Sequence, residues 1–82
     1  MKELQESEKQ EIKEMIAGKL GMDVEKIGDE STLVNDLGAD SLDVVDIVVE
    51  LEKIYDISIP DDEWSQEMTM QDLYKIVSLR IN

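Results

Sequence analysis

Apolar residues in this 82-residue chain recur three and four positions apart, and nowhere do apolar and polar residues alternate over a sustained stretch. That spacing puts side chains on one face of an α-helix, whereas a half-buried strand needs a period of two. The β-branched residues that favour strands, among them Val44, Val45, Ile47, Val48 and Val49, instead cluster inside one helical segment. Helices throughout are the expectation. A first helix is predicted to start at Ser7, with Gln10 reaching back to cap it, and to bury Ile12, Met15, Ile16 and Leu20 before Gly21 stops it. From Met22 to Ala39 the pattern is irregular, with Gly28, Asn35 and Gly38 as breakers and Val24, Ile27, Leu33 and Leu37 as isolated apolar pegs. A loop this long in a compact domain points to a function or to helices running parallel.

Asp40 can cap a second helix over Ser41 to Tyr55, with Asp43 in its first turn complementing the dipole, and Asp56 and Pro60 end it. A short helical turn is expected over Asp61 to Glu67. Thr69 and Asp72 then cap a last helix with Met70, Leu73, Ile76 and Val77 on one face. The sum is an all-α fold, a four-helix bundle of three longer helices and one short one with a long first loop, and residues 1–82 read as a single domain.

Charge narrows the function further. Asp and Glu number 21 against 8 Lys and Arg, a formal charge of −13, and residues 27–52 hold eight acids and no base. Nucleic acid and anionic lipid surfaces would repel such a chain, so its charged partners should be basic proteins. No histidine or cysteine is present, which removes the commonest general base, the usual soft metal ligands and any disulfide. A metal centre and a serine nucleophile activated by histidine are both argued against. Apolar runs never exceed three residues, as at Ile47 to Val49, and the first residues alternate Lys, Glu and Gln. Neither a membrane-inserted helix nor a secretion signal is expected, and a soluble cytoplasmic protein is.

On a helical wheel the second helix has two apolar faces. Val44, Ile47, Leu51 and Ile54, flanked by Val48 and Tyr55, form the sector that faces the core. Leu42, Val45 and Val49 lie nearly opposite, edged by Asp43, Asp46 and Glu50. Single exposed apolar residues are ordinary, yet an apolar stripe with an acidic rim also suits docking of basic partners.

Asp36, Leu37, Gly38, Ala39, Asp40, Ser41, Leu42 and Asp43 form a loop that delivers a serine to the amino end of that helix. An aspartate and serine there are, by themselves, an ordinary helix start. Taken with the first helix, the long loop, the acidic second helix, Ile59–Pro60–Asp61 and the Thr69 helix, the sequence resembles the acyl carrier protein family, whose mark is an Asp-Ser-Leu triplet, here Asp40, Ser41 and Leu42. The resemblance covers nearly the whole chain and implies a freestanding carrier of the fatty-acid-synthesis type. It implies a 4'-phosphopantetheine arm on Ser41, added from coenzyme A by a magnesium-using phosphopantetheinyl transferase, with Asp40 and Leu42 completing the recognition triplet. The chain would then perform no reaction of its own. It would hold growing acyl chains as thioesters and present them to fatty acid synthase enzymes and acyltransferases with basic patches, as a monomer.

Under that resemblance Asp40, Asp43, Asp46, Glu50, Glu52 and Asp61 would steer partners, and Leu42, Val45 and Val49 would make the apolar contact. Ile47, Leu51, Ile59 and Leu73 would line a sleeve for the acyl chain, helped by the adaptable side chains of Met15, Met22, Met68 and Met70. Three residues depart from the family pattern: Asn35 where a second acid is common, Trp64 where small residues are usual, and Glu67 where an apolar residue often closes the short helix. Trp64 is expected to cap the core, and Met68 to take over the packing at Glu67. Alternatives are a specialised carrier in polyketide, peptide or lipid-modification pathways, and an unmodified acidic helical module that binds basic proteins or divalent cations. Asp40 and Asp43 beside the serine favour acyl over peptidyl cargo. Asp61, Asp62 and Glu63 lack the spacing and central glycine of a calcium loop.

Overall fold

Each helix forms where a cap meets an apolar period. A computed structural model describes residues 4–81, with α1 at Glu6–Leu20, α2 at Ser41–Tyr55 and α3 at Met70–Arg80. Single 3₁₀ turns occur at Val24–Lys26 and Asp61–Glu63. The all-α expectation holds. Among the described residues no strand forms, although an isolated antiparallel bridge pairs Thr32 with Thr69.

The amino ends of α2 and α3 carry reciprocal caps. At α2, Asp40 Oδ1 accepts from the Asp43 amide at 2.8 Å while Asp43 Oδ2 accepts from the Asp40 amide at 3.1 Å. At α3, Thr69 Oγ1 accepts from the Asp72 amide at 3.2 Å and Asp72 Oδ2 from the Thr69 amide at 3.0 Å. Helix α1 starts earlier than the sequence reading places it. Its cap is Gln5, whose amide donates to Glu8 Oε1 at 2.9 Å, so Ser7 lies inside the first turn and Gln10 does not cap. Gly21 ends α1 in the left-handed region (φ 66°), as expected of a glycine stop.

The core is one cluster. Ile12 and Ile16 of α1, Val44, Ile47 and Leu51 of α2, and Met70, Leu73 and Val77 of α3 are completely covered. Two pegs of the long loop join them: Leu33 is fully buried and Ile27 nearly so, while Val24 and Leu37 pack half-buried against the same cluster. Backbone bonds hold the loop down. Leu33 N donates to Met68 O at 3.1 Å, Met70 N to Ser31 O at 3.0 Å, Gln71 N to Asp29 O at 2.9 Å, and Ala39 N to Leu33 O at 2.9 Å. The segment before Ser41 is therefore tied to the start of α3.

Two expectations need correcting. Ile54, assigned to the core face of α2, is 47% exposed. It falls in the last turn, and Tyr55 of that turn and Ile57 just beyond the helix pack against the core instead. The short helix expected over residues 61–67 contracts to the turn Asp61–Glu63. Trp64 adopts an extended backbone (φ −131°, ψ 159°) that ends the turn, and its ring packs half-buried against the core. Met68 is buried beyond it, in the packing role expected of it beside the exposed Glu67.

Candidate functional site

Ser41 is the first residue of α2, one position past the capping aspartate, and it is exposed. The reciprocal cap occupies the amides of Asp40 and Asp43, and Val44 N bonds back to Asp40 O at 3.0 Å. This leaves the amides of Ser41 and Leu42 as first-turn donors without an intrahelical acceptor, at the positive end of the helix dipole. Before the serine, Gly38 has φ 77°, and a Cβ built there would meet nothing within 4 Å. Its left-handed backbone keeps the approach low and open. Ala39, by contrast, is buried in the core.

A phosphodiester on Ser41 suits this setting. Its charge would meet two free amides and a helix amino end, which favour an anion, and the exposed hydroxyl leaves room for a long substituent. The carboxylates of Asp40 and Asp43 are nearby but already accept backbone hydrogen bonds. Asp36 is likewise engaged inside the loop, where its Oδ2 accepts from Thr32 N at 2.8 Å and from Thr32 Oγ1 at 3.1 Å.

The outer face of α2 carries the expected stripe. Leu42 is 77% exposed, Val45 43% and Val49 40%, while Asp46 is exposed and Asp43 and Glu50 are half-buried on its edge. Glu52 is not brought to that edge. Its Oε2 accepts from the Ile59 amide at 2.7 Å in a half-buried setting, tying the segment after α2 to the helix. Asp61 stands exposed in the second 3₁₀ turn, off α2.

Ile47, Leu51, Ile59 and Leu73 do come together, all buried in the central cluster. An open hollow of about 330 Å³ lies alongside, walled by Trp64, Met68 and Ile76 and edged by Asp62, Glu63, Asp72 and Lys75. None of the four sleeve candidates reaches its wall. Trp64 Nε1 is buried without an acceptor.

One residue of the site escaped sequence reasoning. Lys19, in the last turn of α1, places its ammonium 2.9 Å from Asp46 Oδ2 and 3.5 Å from Glu50 Oε1. Its hydrogen bond to Asp46, reinforced by the charges of both acids against some desolvation, raises its pKa above the ordinary lysine value. The contact spans 27 residues of sequence, and no local pattern announces it.

The structure thus holds an exposed serine at a capped helix amino end, after a loop pinned to the start of α3. Residues 10–79 match the family described as the phosphopantetheine attachment site, and the chain belongs to that family. It is similar to the acyl carrier protein of Syntrophobacter fumaroxidans, 46% identical over 63 residues that cover 77% of this chain and 78% of that relative. It is also similar to the acyl carrier protein of Bdellovibrio bacteriovorus, 40% identical over 62 residues covering 76% of this chain and 80% of the relative. A third, from Clostridium acetobutylicum, is 38% identical over 68 residues, 83% of this chain and 88% of its own. Among the described residues no helix is long and apolar enough to cross a membrane.

Proposed function

We propose that this chain is an acyl carrier protein that holds growing acyl chains for fatty acid synthesis on a 4'-phosphopantetheine arm joined to Ser41. The observation that carries the reading is the exposed Ser41 at the first position of α2, inside the Asp40-Ser41-Leu42 triplet of a family member. When bound, the arm supplies a terminal thiol for thioester linkage, the sulfur that this cysteine-free chain lacks. The chain's own residues anchor and present it: the free amides of Ser41 and Leu42 offset the phosphodiester charge, and Gly38 keeps the approach clear. The chain is thus a carrier and not a catalyst, and residues 1–82 act as one carrier domain. The turn at Asp61–Glu63 stands where a short third helix would complete a four-helix bundle.

Partners dock on the outer face of α2. Asp40, Asp43, Asp46 and Glu50 steer a basic patch, Asp61 adds to the field from the next turn, and Leu42, Val45 and Val49 supply the apolar contact. Steered encounters are fast, reversible and sensitive to salt, which suits a monomeric cytoplasmic shuttle visiting a phosphopantetheinyl transferase, synthase enzymes and acyltransferases in turn. Ile47, Leu51, Ile59 and Leu73 line the path by which an acyl chain enters, once the helices part. Met68 and Met70, flexible in shape, ease that parting.

The test is intact mass after incubation with coenzyme A, magnesium and a broad-specificity phosphopantetheinyl transferase. The parent gains one arm and Ser41→Ala gains none. A folded parent that gains no mass refutes the reading and leaves an acidic protein-binding module.

A further inference from the structure

Asp46 and Glu50 stand one turn apart on α2, a spacing at which like charges repel. Lys19 sits before both, at 2.9 and 3.5 Å, with a side chain only 23% exposed, so its stem is covered and its ammonium is directed to the rim. The other ion pairs among the described residues lie elsewhere: Lys9 pairs with Glu6, Lys13 with Asp29 and Arg80 with Glu63. Lys19 is therefore the base that these pairs place on the acidic edge of the docking face. The four rim acids of α2 divide into two sets, Asp40 and Asp43 bonded to backbone amides and Asp46 and Glu50 bonded to Lys19.

We infer that Lys19 is a built-in competitor on the docking face, occupying the two rim carboxylates that a basic partner would take and thereby limiting how fast partners dock. The inference rests on the reading of α2 as the face that meets basic partners. A cation approaching Asp46 and Glu50 finds both carboxylates already facing the Lys19 ammonium, and that ammonium repels it whether or not it is displaced. Exposed ion pairs are weak and readily exchanged, so Lys19 slows docking without blocking it.

The apparent second-order rate of arm attachment to the full chain, with coenzyme A, magnesium and the transferase, tests this in Lys19→Gln, Lys19→Met and Lys19→Arg at low and high salt. Helical circular dichroism verifies folding, and Lys19→Met keeps the apolar stem should Lys19→Gln fail to fold. The neutral variants should load roughly two- to fourfold faster at low salt, with Lys19→Arg close to the parent. At about 0.5 M salt, where screening acts within a few ångströms, the gain should vanish. A merely structural lysine would give no gain. Equal or slower loading of the folded neutral variants, or a gain that survives high salt, overturns the inference. A parent that accepts no arm overturns the carrier reading beneath it, and that outcome is told apart because the parent itself fails.

Discussion

Asp56 ends α2 with φ 53°, the one non-glycine residue with positive φ among those described. Aspartate tolerates that region better than most residues, but here it also sets a negative charge at the negative end of a helix dipole. Asp56→Asn should keep the backbone and relieve the charge, raising stability by about 0.3–1 kcal/mol in urea unfolding. Asp56→Val should lower it by about 1–2 kcal/mol, since a β-branched side chain resists the left-handed region. Glu52 tests a different reading. The sequence places it with the steering acids, yet its carboxylate is committed to the Ile59 amide. An acid on an acidic helix looks like its neighbours, and a bond to a loop seven residues on leaves no local trace. Glu52→Ala should cost about 1–3 kcal/mol by leaving that amide unpaired, while arm attachment proceeds at the parental rate. The place of Ser41 at the start of α2 is legible in sequence, because it is set by the adjacent cap and by the order of elements around it.

At the scale of elements, α2 could be read to both ends because Asp40, Asp43 and Asp56 act locally and the apolar sector between them is dense. The start of α1 could not, since Ser7 is a commoner cap than the Gln5 and Glu8 pair that does the work. The short helix stops at Trp64, whose extended backbone ends the turn while its ring packs against the core. The long loop proved more ordered than its sequence suggests. Its pegs were visible as isolated apolar residues, but the bridge between Thr32 and Thr69 joins two irregular segments, neither of which shows a strand period. Leu33 is as buried as any helical core residue. Leu33→Ala should therefore destabilise by about 2–5 kcal/mol, as much as a core leucine in a helix, measured by the urea midpoint.

The molecule as a whole carries a charge of −13, and self-repulsion of that size opposes the compact state. Added monovalent salt should raise the thermal midpoint, a gain that screening predicts and that loss of the few surface ion pairs offsets only slightly. The alkaline limb has a separate cause. Burial, aided by Asp29 and Glu6, pushes the Tyr74 phenol well above its ordinary value, and burial with Glu11 and Glu8 raises Tyr55. Lys19 is raised by its bond to Asp46. All three hold their protons more tightly when folded. Their contribution is complete below the unfolded values of 10.0 for tyrosine and 10.5 for lysine, and is lost as pH rises through the higher folded ones. The urea midpoint should fall above about pH 10, and tyrosinate absorbance should lag behind that of free tyrosine until the chain unfolds.

The ties from Leu33 to Met68 and from Ala39 to Leu33 bear on how far cargo can travel. They fix the residue before α2 to the base of α3, and the reciprocal cap fixes Ser41 to α2. A carrier built this way offers a stationary pivot. With the proposed arm on Ser41, cargo outside the core would sweep a shell drawn by the length and torsions of that arm, and each partner would bring its catalytic pocket to that radius.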